Sequence, residues 1–176
     1  MNILIVSGSQ RVNGNSWRFS RFAQKILSEA GQNVSIIDLA AEHIEFCNGC
    51  LTCEEKVGCV INDDFTNKII PCIQNSDMII FATPVYQDMP TARVINLIDR
   101  LNSLYKYFKK SPKSVACFLV GQADFDSLSF AHGCLKEYFM ISKFKEVGQP
   151  IMRIARDTNE LVMDDGMKNQ ILDWLK

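Results

Sequence analysis

Short apolar runs alternate along this chain with longer segments of helical periodicity. Ile3-Leu4-Ile5-Val6 is a compact apolar run closed by Ser7-Gly8-Ser9. Between residues 15 and 30, Trp17, Phe19 (or Phe22), Ile26 and Leu27 recur near one helical face, and Gly31 stops the helix. Val34 to Ile37 reads as a second strand, Met78 to Ala82 as a third cut off by Thr83-Pro84, and Ser114 to Val120 as a fourth stopped by Gly121. Asp63 and Asp64 offer an N-cap and first-turn charge for a helix running to about Asn75. Ala92, Ile95, Ile98, Leu101, Leu104 and Phe108 keep helical spacing, and residues 127–140 predict another helix. A weaker fifth strand falls near 145–150 and a terminal helix at 165–176.

Continuous apolar strands separated by helices predict a parallel sheet covered on both faces, joined by right-handed crossovers. About five strands make this a doubly wound α/β domain over residues 1–176, with no linker or internal repeat. Sheets of this kind bind ligands beyond the carboxyl ends of their strands. Three loops fall there: Ser7 to Ser16, Thr83 to Met89, and Gly121 to Ser127.

Composition narrows the function. The 176 residues are 47% hydrophobic and 22% charged, the balance of a core-forming chain, and the formal net charge of -1 lacks the basic excess of a nucleic-acid module. No apolar run is long enough to span a membrane, and Met1 to Val6 lacks the basic start of a secretory signal, so a cytoplasmic protein is expected.

The first loop follows a strand and opens a helix, where free backbone N–H groups and the positive helix end favour an anion. Ser9, Asn15 and Ser16 add short polar groups and Arg11 adds charge. The loop has neither the Gly-Lys-Ser/Thr of a Walker motif nor the Gly-x-Gly-x-x-Gly fingerprint, and it has no cysteine for a phosphatase-type nucleophile. The plain alternative is a polar turn with a capped helix. In the second loop, Pro84-Val85-Tyr86 is a rigid apolar and aromatic turn suited to packing on a flat ring, or an ordinary strand-to-helix turn between prolines. In the third, Gly121 permits close backbone approach.

Seven cysteines is a high and odd count, and four lie within thirteen residues as Cys47-x2-Cys50-x2-Cys53-x5-Cys59. Such close spacing points to metal or redox chemistry rather than disulfides. Four thiolates suit a 4Fe–4S cluster, and Gly49 and Gly58 give the backbone freedom to wrap one. Zinc is an alternative, although its structural sites usually come from two separated knuckles; an empty thiol loop is another. Cys72, Cys117 and Cys134 fall in strand or helix patterns and read as core. His43 and His132 sit in no nucleophile arrangement and read as structural or surface residues. Asp99-Arg100 belongs to a subunit interface or a local ion pair. Tyr105, Tyr107 and Phe108, followed by Lys109, Lys110 and Lys113, form an oligomer contact or a helix end packed on the core.

In combination, the Gly-Ser-x-Arg-x-x-Gly-Asn-Ser loop, the Cys-rich segment at 43–62 ending in Asp63-Asp64, Thr83-Pro84-Val85-Tyr86 and Ile98-Asp99-Arg100 resemble the NAD(P)H-dependent FMN reductase and multimeric flavodoxin-like superfamily. More narrowly they resemble the iron–sulfur flavoproteins, over roughly residues 1–122. The resemblance implies a flavodoxin-like fold with FMN held non-covalently. Ser9, Arg11, Asn15 and Ser16 would take the phosphate, Pro84, Val85 and Tyr86 would lie along the isoalloxazine, and Gly121 and Gln122 would close the far side. It implies Cys47, Cys50, Cys53 and Cys59 as cluster ligands and a homodimer or tetramer. It also implies electron transfer from NAD(P)H or a ferredoxin-like donor to a quinone, flavin, nitro or azo compound, or oxygen. Two departures stand out: Arg93 where many relatives carry lysine, and a third loop without their glycine-rich run. A non-enzymatic electron carrier and a zinc-stabilised binding module are the competing functions.

Overall fold

The computed structural model describes residues 1–157 and 160–176. β1 (Asn2–Ser7) is followed by α1 (Asn15–Glu29), β2 (Asn33–Asp38), a short α2 (Thr52–Glu55), a π-helical turn (Phe65–Ile69) running into α3 (Ile70–Asn75), and β3 (Met78–Tyr86). β4 (Met89–Pro90), α4 (Ala92–Leu101), a 3₁₀ turn (Asn102–Leu104), α5 (Tyr105–Phe108), β5 (Ser114–Gly121) and α6 (Phe125–Ile141) follow. β6 (Lys145–Glu146), β7 (Ile151–Ile154) and α7 (Asp165–Asp173) complete the order.

The sheet runs β2-β1-β3-β5, with β6 and β7 both paired to β5 as two pieces of one outer lane. All of these pairings are parallel. The architecture is the doubly wound sheet that the sequence pattern predicts, in the flavodoxin-like form that the resemblance implies, with five parallel lanes.

Alternation along each strand divides the core in two. Leu4 and Val6 point with Ile79, Phe81, Val115, Cys117 and Leu119 toward the layer of α3, α4 and α6. Ile3 and Ile5 point with Met78, Ile80, Ala116 and Phe118 toward α1 and α7. There Phe19 stacks on Phe118 with ring centroids 3.8 Å apart, and Trp174 meets Phe19 edge-on. The buried face of α1 is Ser16, Phe19, Ser20, Ala23, Ile26 and Leu27; Trp17 and Phe22 lie at its margins, and Trp17 carries the Arg21 guanidinium over its ring.

Several boundaries differ from the sequence reading. β3 is not cut off at Thr83-Pro84 but continues to Tyr86. The Ala82 carbonyl faces β1, where it accepts from Gly8 N–H, so residue 84 also faces that side, beyond the last β1–β3 pair at Ser7 and Ala82. A proline there removes no ladder bond. β3 then folds back antiparallel onto β4 through Gln87 and Asp88, both at positive φ (50° and 59°), as in a tight hairpin turn. The helix expected through Phe108 breaks at Asn102 into α4, the 3₁₀ turn and α5. The single weak strand at 145–150 is two pieces, 145–146 and 151–154. α7 ends at Asp173, short of 176. The helix after Asp63-Asp64 opens as a π turn, and Asp64 makes no cap bond to it. Of the three cysteines read as core, only Cys117 is fully buried; Cys72 and Cys134 are half-buried. Burial, and secondarily the Glu146 charge, pushes the Cys117 thiol well up.

Candidate flavin cleft and cysteine loop

β1 ends where its apolar run ends, and the chain turns through Gly8 into α1. Gly8 N–H donates to Ala82 O (2.8 Å) and Thr91 Oγ1 donates to Gly8 O (3.0 Å), fixing the turn against β3 and α4. A Cβ on Gly8 would lie 2.6 Å from Val94 Cγ2, so only glycine fits. Arg93 ties the loop down further: its Nε donates to Gln10 Oε1 (2.9 Å) and its Nη1 to Leu39 O (2.9 Å).

Among the described residues, no side chain caps the N-terminus of α1. Ser9 turns back on its own loop, donating to Arg11 O (2.8 Å) and accepting from Arg11 N–H (3.2 Å). Asn15 Nδ2 donates to Asp157 O (3.0 Å). Asn15 Oδ1 and Ser16 Oγ are buried with no hydrogen-bond partner among the described residues. A buried hydroxyl without a partner at an uncapped helix start is the arrangement an anion completes.

The nine residues expected to hold a flavin, Ser9, Arg11, Asn15, Ser16, Pro84, Val85, Tyr86, Gly121 and Gln122, all line one cleft of about 520 Å³. That volume lies in the range of cofactor pockets. Tyr86 is exposed at its lip and Val85 is buried. The sequence reading missed the segment after β7: Ala155, Arg156 and Asp157 complete the wall, and Arg156 brings a second cation. Gln122 Nε2 donates to Arg156 O (2.8 Å), so the third loop is braced by this fourth one. Placing the fifth strand at Ile151–Ile154 would have flagged it as a carboxyl-end loop.

Cys47, Cys50, Cys53 and Cys59 line a second, mainly apolar cavity together with Asp99, Arg100 and Ser103, sharing no lining residue with the cleft. At about 30 Å³ it is room for a water or two, so the loop must spread to receive anything larger. The loop is tied to α4, the 3₁₀ turn and α5, where Lys106 Nζ donates to Glu54 O. Asn96 Nδ2 donates to Ile44 O (3.0 Å), and Gly58 N–H donates to Ser103 O (2.9 Å). Arg100 Nε and Ser103 Oγ are buried without partners among the described residues, both beside the thiols. Burial lowers the Arg100 pKa, but the Asp63 hydrogen bond and the neighbouring Cys59 and Asp63 charges outweigh it and keep the guanidinium charged. Four thiols beside two buried donors, one of them on a guanidinium already drawn to the Cys59 thiol, fit a thiolate-ligated, anionic group. Cys50 is the thiol of the loop whose pKa falls, through hydrogen bonds from Thr52.

A flavodoxin-like sheet with an anion cradle at its first crossover and a ring-sized cleft at its carboxyl edge defines a class of flavin-binding oxidoreductases. Within it, the profile of the NADPH-dependent FMN reductases matches residues 1–157, and the chain belongs to that family. An iron–sulfur flavoprotein of Methanocaldococcus jannaschii is 29% identical over 148 residues, covering 84% of this chain and 76% of the relative. One from Archaeoglobus fulgidus is 34% identical over 101 residues, 57% of this chain but only 46% of the relative's length. Among solved structures, an NADH:FMN oxidoreductase superposes with a TM-score of 0.70 at 16% identity, covering 98% of this chain and 87% of its own. The NAD(P)H:quinone oxidoreductase of Methanothermobacter marburgensis superposes at 0.66, also at 16% identity, covering 98% and 90%. These superpositions show a shared fold. Among the described residues, no helix is long and apolar enough to cross a membrane.

Proposed function

We propose that the chain binds FMN non-covalently in the 520 Å³ cleft and acts as an NAD(P)H-dependent flavin oxidoreductase. The observation that carries this reading is the meeting of four carboxyl-end loops on one cleft, with the partnerless Ser16 hydroxyl at the uncapped start of α1. Bound isoalloxazine supplies the hydride- and electron-transfer chemistry. The protein holds the phosphate with Ser16, Arg11 and the α1 N–H groups, while Ser9 shapes the loop. Pro84, Val85 and Tyr86 flank the ring, and the Gly121-Gln122 backbone closes its far edge. No side chain is assigned as general acid or base. NAD(P)H, or a ferredoxin-like donor, gives electrons; the acceptor is a small molecule such as a quinone, a free flavin, a nitro or azo compound, or oxygen.

Cys47, Cys50, Cys53 and Cys59 are the proposed ligands of a 4Fe–4S cluster. The donor set and the buried Arg100 and Ser103 donors support it, as does the similarity to iron–sulfur flavoproteins. Exposed Phe46, Tyr86 and Met89 along an open groove beside the cleft support a homodimer or tetramer.

The test is a visible spectrum of protein purified without oxygen, before and after reduction. A two-banded flavin envelope on a broad shoulder that bleaches supports both cofactors. The flavin envelope alone removes the cluster, and a colourless protein removes the whole reading.

A further inference from the structure

Away from the cleft and the cysteine loop, a third set of ligand-type side chains converges. Cys117 Sγ, a ring nitrogen of His132 and a carboxylate oxygen of Glu146 all lie within 4.8 Å of one another. They come from three elements. Glu146 on β6 pairs with Val115 of β5, so Cys117, two residues further on, presents its side chain to the same face. α6 covers that face through Leu128, Ala131 and Leu135, which share the core of Cys117, and His132 follows Ala131. His132 Nε2 sits 2.5 Å from Glu146 Oε1. Cys117 is fully buried, while the His132 and Glu146 side chains keep 14% and 21% of their exposure, so the cluster is closed on the sheet side and reachable from solvent on the other.

We propose that Cys117, His132 and Glu146 form a three-ligand site for a zinc-class divalent ion. Sulfur, imidazole nitrogen and carboxylate oxygen are the ligands zinc takes, at about 2.3, 2.0–2.1 and 2.0–2.2 Å, with water free to fill a fourth place. A tetrahedron of those bonds sets the ligand atoms roughly 3.3–3.6 Å apart. The His132–Glu146 contact therefore opens by less than about 1 Å to admit the ion, with the thiol closing from the sheet side. The thiolate selects against magnesium and calcium. On binding, the Cys117 S–H bond is replaced by an S–metal bond and one proton is released to solvent; nothing is oxidised or reduced.

The site has a structural consequence. β6 is two residues long, and the outer lane is interrupted between it and β7. An ion on Glu146 fastens that short edge piece to β5 and to α6. It lies toward the middle of β5, whereas the cleft begins at Val120, so it stabilises the fold without entering the flavin site.

The test removes the competing thiols first. In the full chain carrying Cys47, Cys50, Cys53 and Cys59 all changed to Ser, zinc binding is followed by titration calorimetry and cobalt binding by its thiolate charge-transfer band. One ion per chain is expected, with a thermal midpoint raised by zinc and lowered again by chelator. His132→Gln and Glu146→Gln, both at partly exposed positions, are expected to weaken zinc at least tenfold, and Cys117→Ala to abolish the cobalt band. Absence of binding in this chain without the loop thiols, or unchanged affinity in His132→Gln with its circular dichroism intact, overturns the proposal.

Discussion

Arg100 and Asp63 face each other as a two-pronged ion pair inside the protein, Nη1 to Oδ2 at 2.6 Å and Nη2 to Oδ1 at 3.1 Å, with side chains 0% and 1% exposed. Together they hold both backbone groups of Glu45: Arg100 Nη1 donates to its carbonyl (2.6 Å), and Asp63 Oδ2 accepts from its N–H (2.9 Å). Asp63 Oδ1 also accepts from Thr66 N–H (3.3 Å) at the start of the π turn. Phe65 lies under the guanidinium with its ring centroid 4.6 Å away. The pair thus joins α4, the entrance of the cysteine loop and its exit.

Removing one partner leaves a buried charge without its counter-ion, which typically costs about 3–5 kcal/mol. Asp63→Leu and Arg100→Met are each expected to lower stability by about that amount, measured by chemical unfolding. Changing both together, Asp63→Leu with Arg100→Met, should cost less than the sum of the two, since neither charge is then stranded. Additive losses would show that the pair is not coupled.

The same pair predicts a pH signature. Burial pushes the Asp63 carboxyl up, but hydrogen bonds from Arg100 and from the Glu45 and Thr66 N–H groups, with the guanidinium charge, hold it below its ordinary value. A depressed carboxyl stabilises the fold fully above its unfolded pKa of about 3.9 and loses that contribution as pH falls through the lower, folded value. The gap in thermal midpoint between the native chain and Asp63→Asn should stay constant from about pH 5 to 8 and narrow below about pH 4. Asp38, held low by the Arg21 hydrogen bond despite partial burial, titrates in the same acid range but is present in both proteins and cancels from the difference.

The parallel strands were legible because both faces of the sheet are covered, so Ile3–Val6, Met78–Ala82 and Val115–Val120 are unbroken apolar runs. The first cleft loops followed from where those runs stop. What was not legible depends on contacts distant in sequence. Asp63 reads locally as a helix cap, and only the approach of Arg100, 37 positions away, makes it an ion-pair partner. Pro84 reads as a strand terminator unless the β1–β3 pairing is known to end two residues earlier, at Ala82. The outer lane is short and interrupted, so Ile151–Ile154 carries too little periodicity to announce the Ala155–Asp157 wall behind it.

Gly8 offers a steric test of the cradle. Because its Cβ would meet Val94 Cγ2 at 2.6 Å, Gly8→Ala should cost about 1–3 kcal/mol and displace the loop from α4. Val94→Ala removes the obstructing methyl groups, so the double variant should recover part of that loss relative to Val94→Ala alone. No recovery would place the strain elsewhere in the turn.

The two proposed cofactors should separate by mutation. Cys50→Ser removes an exposed thiol, and none of the four loop cysteines lines the flavin wall. Anaerobically purified Cys50→Ser should lose most of its iron and sulfide while keeping FMN near one per chain. Loss of flavin in step with iron would show that the loop and the cleft are not independent.

The phosphate cradle can be isolated from the ring site by comparing FMN with riboflavin, which lacks the phosphate. Arg11 is exposed and lines the cleft, and the Ser16 hydroxyl is buried without a partner among the described residues. A hydrogen bond to a charged group contributes about 1.5–3 kcal/mol, so Arg11→Ala should weaken FMN roughly 10–100-fold. Ser16→Ala should cost less, about 3–10-fold, because the neutral hydroxyl brings one hydrogen bond and no charge to the phosphate. Riboflavin, gripped only by Pro84, Val85, Tyr86 and the Gly121-Gln122 backbone, should bind both variants as it binds the unaltered protein. Fluorescence titration of the apoprotein measures all six affinities. Equal losses for riboflavin would show that Arg11 acts on the cleft as a whole, and unchanged FMN affinity in Arg11→Ala would remove it from the cradle.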